Sequence, residues 1–464
     1  MKIKLQNPKK QKTKINLATL PRIEPNAAGL DIGHREHWCA VPADRDPRPV
    51  RAFGTFTEDL EKMADWLQQC GIKTVAMEST GVYWIAAFQI LERRGFAVRL
   101  VNARHVKHVS GRKSDVLDCQ WIQQLHSYGL LNASFRPEDQ MCVLRAYLRY
   151  RDELVGARSC QRQHLQKALQ QMNVQLHQVL SDVTGVSGQR IIQAILAGER
   201  DVQQLAQLAD GRVRASRATL TKALRGDYRT EHLFVLQSAW DLHQTYQQKI
   251  QLCDEQIIVQ LAQLPARVDL QEKPLPPPKP GRPRRLDCVA GTDLRAELYR
   301  CAGVDLTAIE GIGVLTAQVV ISEIGLDMTC WPSEKHFASW LGLCPDHRIS
   351  GGKVLSRHTR HVLNPVADAL RIAATTLQSS KTALGAFYRR MRAKLGAASA
   401  ITATAHKLAR LIYRLLKHGE AYVQKGVEFY ENQYRERLLY NLKKTAASLG
   451  FQLAQQQPTP QSVS

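Results

Sequence analysis

Asp115 and Asp118 stand three residues apart in residues 111–131, GRKSDVLDCQWIQQLHSYGLL, at the start of a predicted helix. Residues at i and i+3 are helix-surface neighbours, about 5–6 Å apart at Cβ, so two carboxylates there repel unless a cation lies between them. The pair alone is open to two readings. With Ser114 as N-cap, acids in the first turn are ordinary capping, favoured by the positive end of the helix dipole. The same pair is also half of a metal site. Two more carboxylates lie upstream: residues 28–42, AGLDIGHREHWCAVP, read as a buried strand carrying Asp31, and residues 73–80, KTVAMEST, as a strand ending in Glu78. In an open α/β sheet the carboxyl ends of strands face the ligand crevice, so the four acids can converge. Hard divalent cations take oxygen donors of this kind, magnesium with a few carboxylates plus phosphate and water.

A second region carries a hydroxyl. In residues 337–365, FASWLGLCPDHRISGGKVLSRHTRHVLNP, Ser350 precedes Gly351 and Gly352 in a loop with Arg348, Lys353, Arg357 and Arg360. A hydroxyl attacking phosphorus needs an accessible backbone, cations for the developing charge and a route for its proton. A Ser-Gly-Gly turn by itself is only a turn. Ser356, in the same basic loop, is the first alternative, followed by Ser322 and Ser399. Gly311 and Gly313, in LTAIEGIGVLTAQVVISEIG, make a tight turn whose following helix start suits a phosphate, as in a helix-hairpin-helix. Arg104, Lys107, Arg112 and Lys113 precede the acidic pair, where they can draw phosphate or form a solvated loop.

These residues need elements to position them. The chain has 464 residues, enough for two or three domains, and a formal net charge of +22 from 64 Lys and Arg against 42 Asp and Glu. That excess points to a polyanionic partner. Ten cysteines are scattered without zinc spacing and read as reduced thiols. No signal peptide or membrane-spanning run is visible, so a cytoplasmic, nucleoid-associated protein with no membrane partner is expected. Residues 1–26 form a basic arm. Strands then alternate with helices over 27–137, as in an α/β domain. Leu144, Leu148, Arg151, Val155, Arg158, Arg162, Leu165, Leu169, Met172, Leu176 and Val179 keep a four-three spacing, a coiled-coil seam whose three arginines are expected to face RNA or a partner subunit. Ala239, Tyr246, Ile250, Cys253, Ile257 and Leu264 give a return helix, making an antiparallel hairpin over 138–270 with residues 181–229 at its tip. Prolines stiffen a linker over 271–292, whose Arg282, Arg284 and Arg285 resemble a minor-groove hook. A mainly helical domain follows over 293–425, and 426–464 is a helical extension with a disordered tail, its pattern fading from Glu431.

The segments GLDIGHREHWCAVP, AMESTGVYW, VNARHVKHVSGRKSDVLDCQWIQQLHSYGLL and SFRP resemble the DEDD insertion-sequence transposases. LGLCPDHRISGGK, LRIAATTL, LGAFYRRMRAKLG and AITATAHKLARLIYRLLK resemble the C-terminal transposase domain of the same family, so the likeness runs from about residue 27 to 423. It implies an α/β plus α architecture: an RNase H-like (RuvC-like) domain, a helical coiled-coil hairpin and a helical C-terminal domain with a helix-hairpin-helix. It also implies that Asp31, Glu78, Asp115 and Asp118 hold Mg2+ or Mn2+, with no organic cofactor, and that Ser350 attacks the scissile phosphate and becomes covalently linked to DNA. Donor and target DNA, a bridge RNA and a homo-oligomer, dimer or tetramer, are the implied partners, with the acids and the serine in a composite site between protomers. Two other readings stay open: a structure-selective nuclease using metal-activated water, and a non-catalytic nucleic-acid-binding scaffold.

Overall fold

The computed structural model describes residues 21–452 apart from 80, 102–114, 278–287, 290, 357 and 361; the side chains of Asp115 and Arg348 also lie outside the description. Two compact units make up the chain, Met1–Arg136 and Pro137–Ser464. The first contains β1 (Ala27–Ile32), β2 (Glu36–Ala40), β3 (Val50–Gly54), α1 (Thr57–Gln69), β4 (Thr74–Glu78), α2 (Trp84–Arg93), β5 (Ala97–Val101) and α3 (Asp115–Ser127). Its sheet has the order β3-β2-β1-β4-β5. The short turn at Gly33 folds β2 back antiparallel on β1, whereas the crossovers through α1 and α2 bring β4 and β5 in parallel. This mixed α/β arrangement is consistent with an RNase H-like domain.

Period-two alternation gives the sheet two different faces. Leu30, Ile32, Val75 and Met77 pack with Leu60, Met63 and Leu67 of α1 and Phe88 and Leu91 of α2. On the opposite face Ala76 and Val101 meet Ile122 and Leu125 of α3. Leu60, Met63, Ala64 and Leu67 are buried at the i, i+3, i+4, i+7 positions that a helix lying on a sheet requires.

In the second unit α4 (Asp139–Gln171) runs antiparallel to α8 (Thr230–Gln263), as pairs such as Arg151 with Asp254 and Arg158 with Gln247 require. Leu144, Leu148, Leu165 and Leu169 lie buried on α4, and Ile250, Cys253, Ile257 and Leu261 on α8. The three arginines of the seam depart from expectation. Arg151 forks onto both oxygens of Asp254, Arg158 bonds Gln247, and Arg162 pairs with Asp182 at 3.0 Å, so the fold itself uses these guanidinium groups. The seam is also shorter than its spacing implies. The helix stops at Gln171, and Asn173 turns the chain with φ 58, a conformation asparagine tolerates better than most residues, so Leu176 and Val179 belong to a separate helical turn. At the tip, α5 (Val186–Leu196), α6 (Val202–Gln207) and α7 (Arg217–Leu224) bury Ile191, Ile192, Leu205 and Leu220 against Leu165, Leu169 and Trp240.

Beyond the linker lie β6 (Cys288–Val289), β7 (Thr292–Asp293), α9 (Leu294–Ala302), α10 (Val314–Ile324), α11 (Glu334–Trp340), β8 (Arg348–Ser350), β9 (Lys353–Ser356), α12 (Pro365–Thr376), α13 (Ala383–Leu395), α14 (Ala397–His418) and α15 (Glu420–Ser448). The helix α15 continues well past Glu431. Its Glu, Arg, Lys, Leu and Ala residues are strong helix formers, and exposed Leu438, Leu439, Tyr440 and Leu442 surround the axis, which blurs any apolar stripe. Among the described residues no helix is long and apolar enough to cross a membrane.

The base of the hairpin is tied to α10 by charge. Glu323, buried near the end of α10, accepts from Arg149 Nε at 2.8 Å and Nη2 at 2.9 Å, and pairs with Arg145 at 3.2 Å. Removing one partner of such a triad strands the others in a low dielectric. Glu323→Ala is therefore expected to destabilise this unit by about 3 kcal/mol in urea unfolding, well beyond the effect of Glu231→Ala on the solvent-exposed Arg229–Glu231 pair, which is within about 1 kcal/mol.

Candidate active site

Asp31 lies one residue before the end of β1 and Glu78 is the last residue of β4. The parallel register pairs Leu30 with Met77, so the next step sets Asp31 beside Glu78, on neighbouring strands about 4.8 Å apart. Alternation puts both carboxylates on the face that α3 covers, away from the Leu30–Met77 core. Both are half-buried.

The helix α3 reaches that face because Gly29 has no side chain. A Cβ at Gly29 would lie 2.3 Å from the Gln123 nitrogen and 2.5 Å from the Cys119 oxygen, closer than any real contact. Two polar contacts then fix the helix along its length. Gln123 Nε2 donates to Ala27 O at 3.2 Å and to Ser127 Oγ at 2.9 Å. Thr74 donates its single proton to Ala97 O at 2.9 Å, so the His126 Nε2–H donates to Thr74 Oγ1, also at 2.9 Å. His126 is fully buried, and burial, helped by the Arg99 charge, pushes its imidazole down to about 4.

Asp118, half-buried, precedes the Cys119 whose carbonyl lies over Gly29. Burial and then the negative charges of Asp31 and Asp118 push the Cys119 thiol up to about 12, so both carboxylates act on one sulfur atom. Three of the four sequence-identified acids thus belong to the α3-covered side of the sheet. The fourth, Asp115, opens α3 one turn earlier; its side chain, the Ser114 cap, Arg104, Lys107, Arg112 and Lys113 lie outside the described residues. Among the described residues, which do not include the Asp115 carboxylate, no group of three or more His, Cys, Asp and Glu forms a metal-binding cluster. The donor set itself, carboxylate oxygens without sulfur or imidazole, fits a hard divalent cation.

Ser350 belongs to the second unit. It ends β8 and pairs with Lys353 of β9 across Gly351 and Gly352, whose φ of 55 and 76 make the two-residue hairpin turn that needs left-handed backbone at both positions. Ser350 is exposed, with Lys353 directly opposite it in the ribbon. The alternatives are less accessible or lie elsewhere. Ser322 is buried and donates to Val319 O at 3.1 Å within α10; Ser356 Oγ accepts from the His358 N–H at 3.3 Å; Ser399 is exposed in the first turn of α14. Arg360 donates to Ser339 O at 2.7 Å and Oγ at 3.1 Å, tethering the ribbon's base to α11. Arg357, Arg282, Arg284 and Arg285 lie outside the described residues. Gly313 caps α10, while Gly311, with φ +86, packs against Ala373 O and Leu377, so its left-handed turn also serves helix packing. Gly29, Gln123, Thr74 and His126 were not singled out from sequence, although a glycine inside a strand run is the signal of close backbone approach.

Gly29→Ala is expected to lift α3 from the sheet, at about 3 kcal/mol. The readout is hydrogen exchange: peptides covering 27–32 and 119–127 lose protection while those of α4 and α8 keep theirs. His126 has a folded pKa below its unfolded value of about 6.5, so its contribution is full above pH 6.5 and is lost as pH falls towards 4, by up to about 3 kcal/mol. Urea unfolding between pH 7 and 4.5 is expected to show this slope in the wild type and a flatter one in His126→Gln.

A family model describing a DEDD transposase of the IS110 type matches residues 28–174, and a second, described as the transposase IS116/IS110/IS902 family, matches residues 303–389; together they cover half of the chain. A stretch of 128 residues is 29% identical to the insertion element IS110 uncharacterized 43.6 kDa protein of Streptomyces coelicolor. That match takes in 26% of this chain and 31% of the relative, about a third of the relative's length. With the four acids inside the first family match and Ser350 inside the second, the chain belongs to the IS110 family of transposases.

Proposed function

We propose that the protein is the DNA transposase/recombinase of an insertion sequence, cutting and joining DNA phosphodiesters in the cytoplasm. The observation that carries this reading is the register that brings Asp31 beside Glu78 under the helix bearing Asp118, in a chain of this family. Asp31, Glu78, Asp118 and Asp115 would hold divalent metal, Mg2+ or Mn2+. When bound, the metal neutralises charge at the scissile phosphate and makes a hydroxyl easier to deprotonate. The carboxylates' role would be to hold that metal, and Gly29 keeps α3 close enough for them to act together.

Ser350 is the proposed nucleophile. Its Oγ bonds to phosphorus, the bond to one deoxyribose oxygen breaks, and that oxygen leaves with a proton, conserving the phosphodiester's energy in a protein–DNA ester for rejoining. Lys353 opposite Ser350 offsets charge developing on the phosphoryl oxygens. An exposed ribbon suits a large polymer substrate better than a closed pocket would. Donor and target DNA, a guide RNA and further copies of the chain are the proposed partners; base pairing would carry target choice.

Denaturing electrophoresis of end-labelled element-junction DNA, incubated with Mg2+ and RNA from the element's non-coding end, tests the scheme. Wild type is expected to give a labelled, protease-sensitive protein band, lost in Ser350→Ala and reduced at least 100-fold in Asp118→Asn. Cleaved DNA without that band, persisting in Ser350→Ala but lost in Asp118→Asn, would establish the water-using nuclease instead.

A further inference from the structure

The parallel strands β1 and β4 end side by side, and two aromatic rings stand just beyond those ends. His34 lies in the turn closed by the Gly33 N–H donating to Glu36 O at 3.1 Å, three residues after Asp31. Tyr83 caps the start of α2, five residues after Glu78. Their ring centroids are 6.3 Å apart with planes tilted by 59°. Tyr83 is 51% and Val82 69% exposed, and His34 is exposed as well.

The platform is held from beneath. Gly81, with φ +57, turns the chain out of the sheet, and Trp84 donates its Nε1–H to Gly81 O at 3.1 Å. Trp84 also meets the buried Phe88 edge-on, with centroids 5.7 Å apart. Tyr83 is therefore anchored at its backbone while its side chain faces water. Arg35, exposed, follows His34 in the same turn and adds a cation there.

We propose that Tyr83, flanked by His34 and Arg35, is a stacking platform for an unpaired nucleobase adjoining the phosphate handled at Asp31 and Glu78; this rests on the reading above. A base inside a duplex has both faces covered by its neighbours, so an exposed aromatic face beside a cation selects a base that has left the stack. The net charge of +22 supplies the general attraction for the strand, and the ring supplies the local position. Tyr83 then acts as a positioning residue, setting which phosphate sits over the acids.

The test uses full-length protein titrated, without Mg2+, into single-stranded oligothymidylate carrying one 2-aminopurine, and into the same label within a duplex. Wild type is expected to quench the single-stranded label and leave the weak signal of the duplex label, already stacked between its neighbours, unchanged. Tyr83→Leu, which keeps apolar bulk without the ring, is expected to weaken single-strand binding about tenfold and abolish quenching. Tyr83→Phe restores both, and all three proteins keep the same melting temperature and the same salt slope. Quenching by Tyr83→Leu at wild-type level, or none by wild type, overturns the platform. Strand breakage on element-junction DNA is scored separately. Breakage with quenching indifferent to residue 83 removes the platform alone; ring-dependent quenching without breakage by any form removes the transposase reading and leaves the platform.

Discussion

The contact between Gly29 and the backbone of α3 is the constraint on which the acidic face depends. A helix normally rests on a sheet through a layer of side chains, about 10 Å from the strands. Here the Cys119 carbonyl and the Gln123 amide lie almost on the strand, which only glycine permits. Sliding or turning the helix by one residue would rotate it by about 100° and carry Asp118 away from Asp31. Gln123 and His126 prevent this by bonding to Ala27 O and Thr74 on two different strands. The position of the carboxylates is thus set by a missing methyl group and two hydrogen bonds, none of which bears a formal charge.

The second unit solves a different problem, holding long helices together in a strongly basic chain. Five of its arginines are matched to buried or half-buried acids: Arg151 to Asp254, Arg145 and Arg149 to Glu323, and Arg410 and Arg414 to Glu334. Such groups specify which helices meet, since a misregistered pairing would leave a charge without a partner. They also mean that part of the positive charge read from composition is internal architecture. The exposed cations, not the total, define what remains for a polyanion.

In the scheme proposed above, Ser350 and the acids present chemistry in two ways. Asp31, Glu78 and Asp118 sit on strands and a helix that are themselves packed into the two cores. The serine sits at the end of a two-stranded ribbon whose Ile349 and Leu355 are exposed, so its surroundings are completed by whatever binds there. A rigid charge centre and an accessible hydroxyl fit a reaction on a long, bendable substrate.

Much of this was determined by sequence alone. Apolar alternation marks the strands of Asp31 and Glu78, because each needs one face in the Leu30–Met77 core, and it is resemblance in their flanks that makes the four acids and Ser350 the proposed site residues. Four-three spacing likewise implies the hairpin, because helices pack through such stripes. Relations between distant residues came only with the folded chain: Gly29 under Cys119, His126 on Thr74, and Arg151 on Asp254. No local pattern encodes these, since spacing records which face a residue occupies and not what lies opposite it. The end of α4 at Asn173 and the extension of α15 past Glu431 belong to the same class, the first set by one left-handed residue and the second by propensity without a stripe.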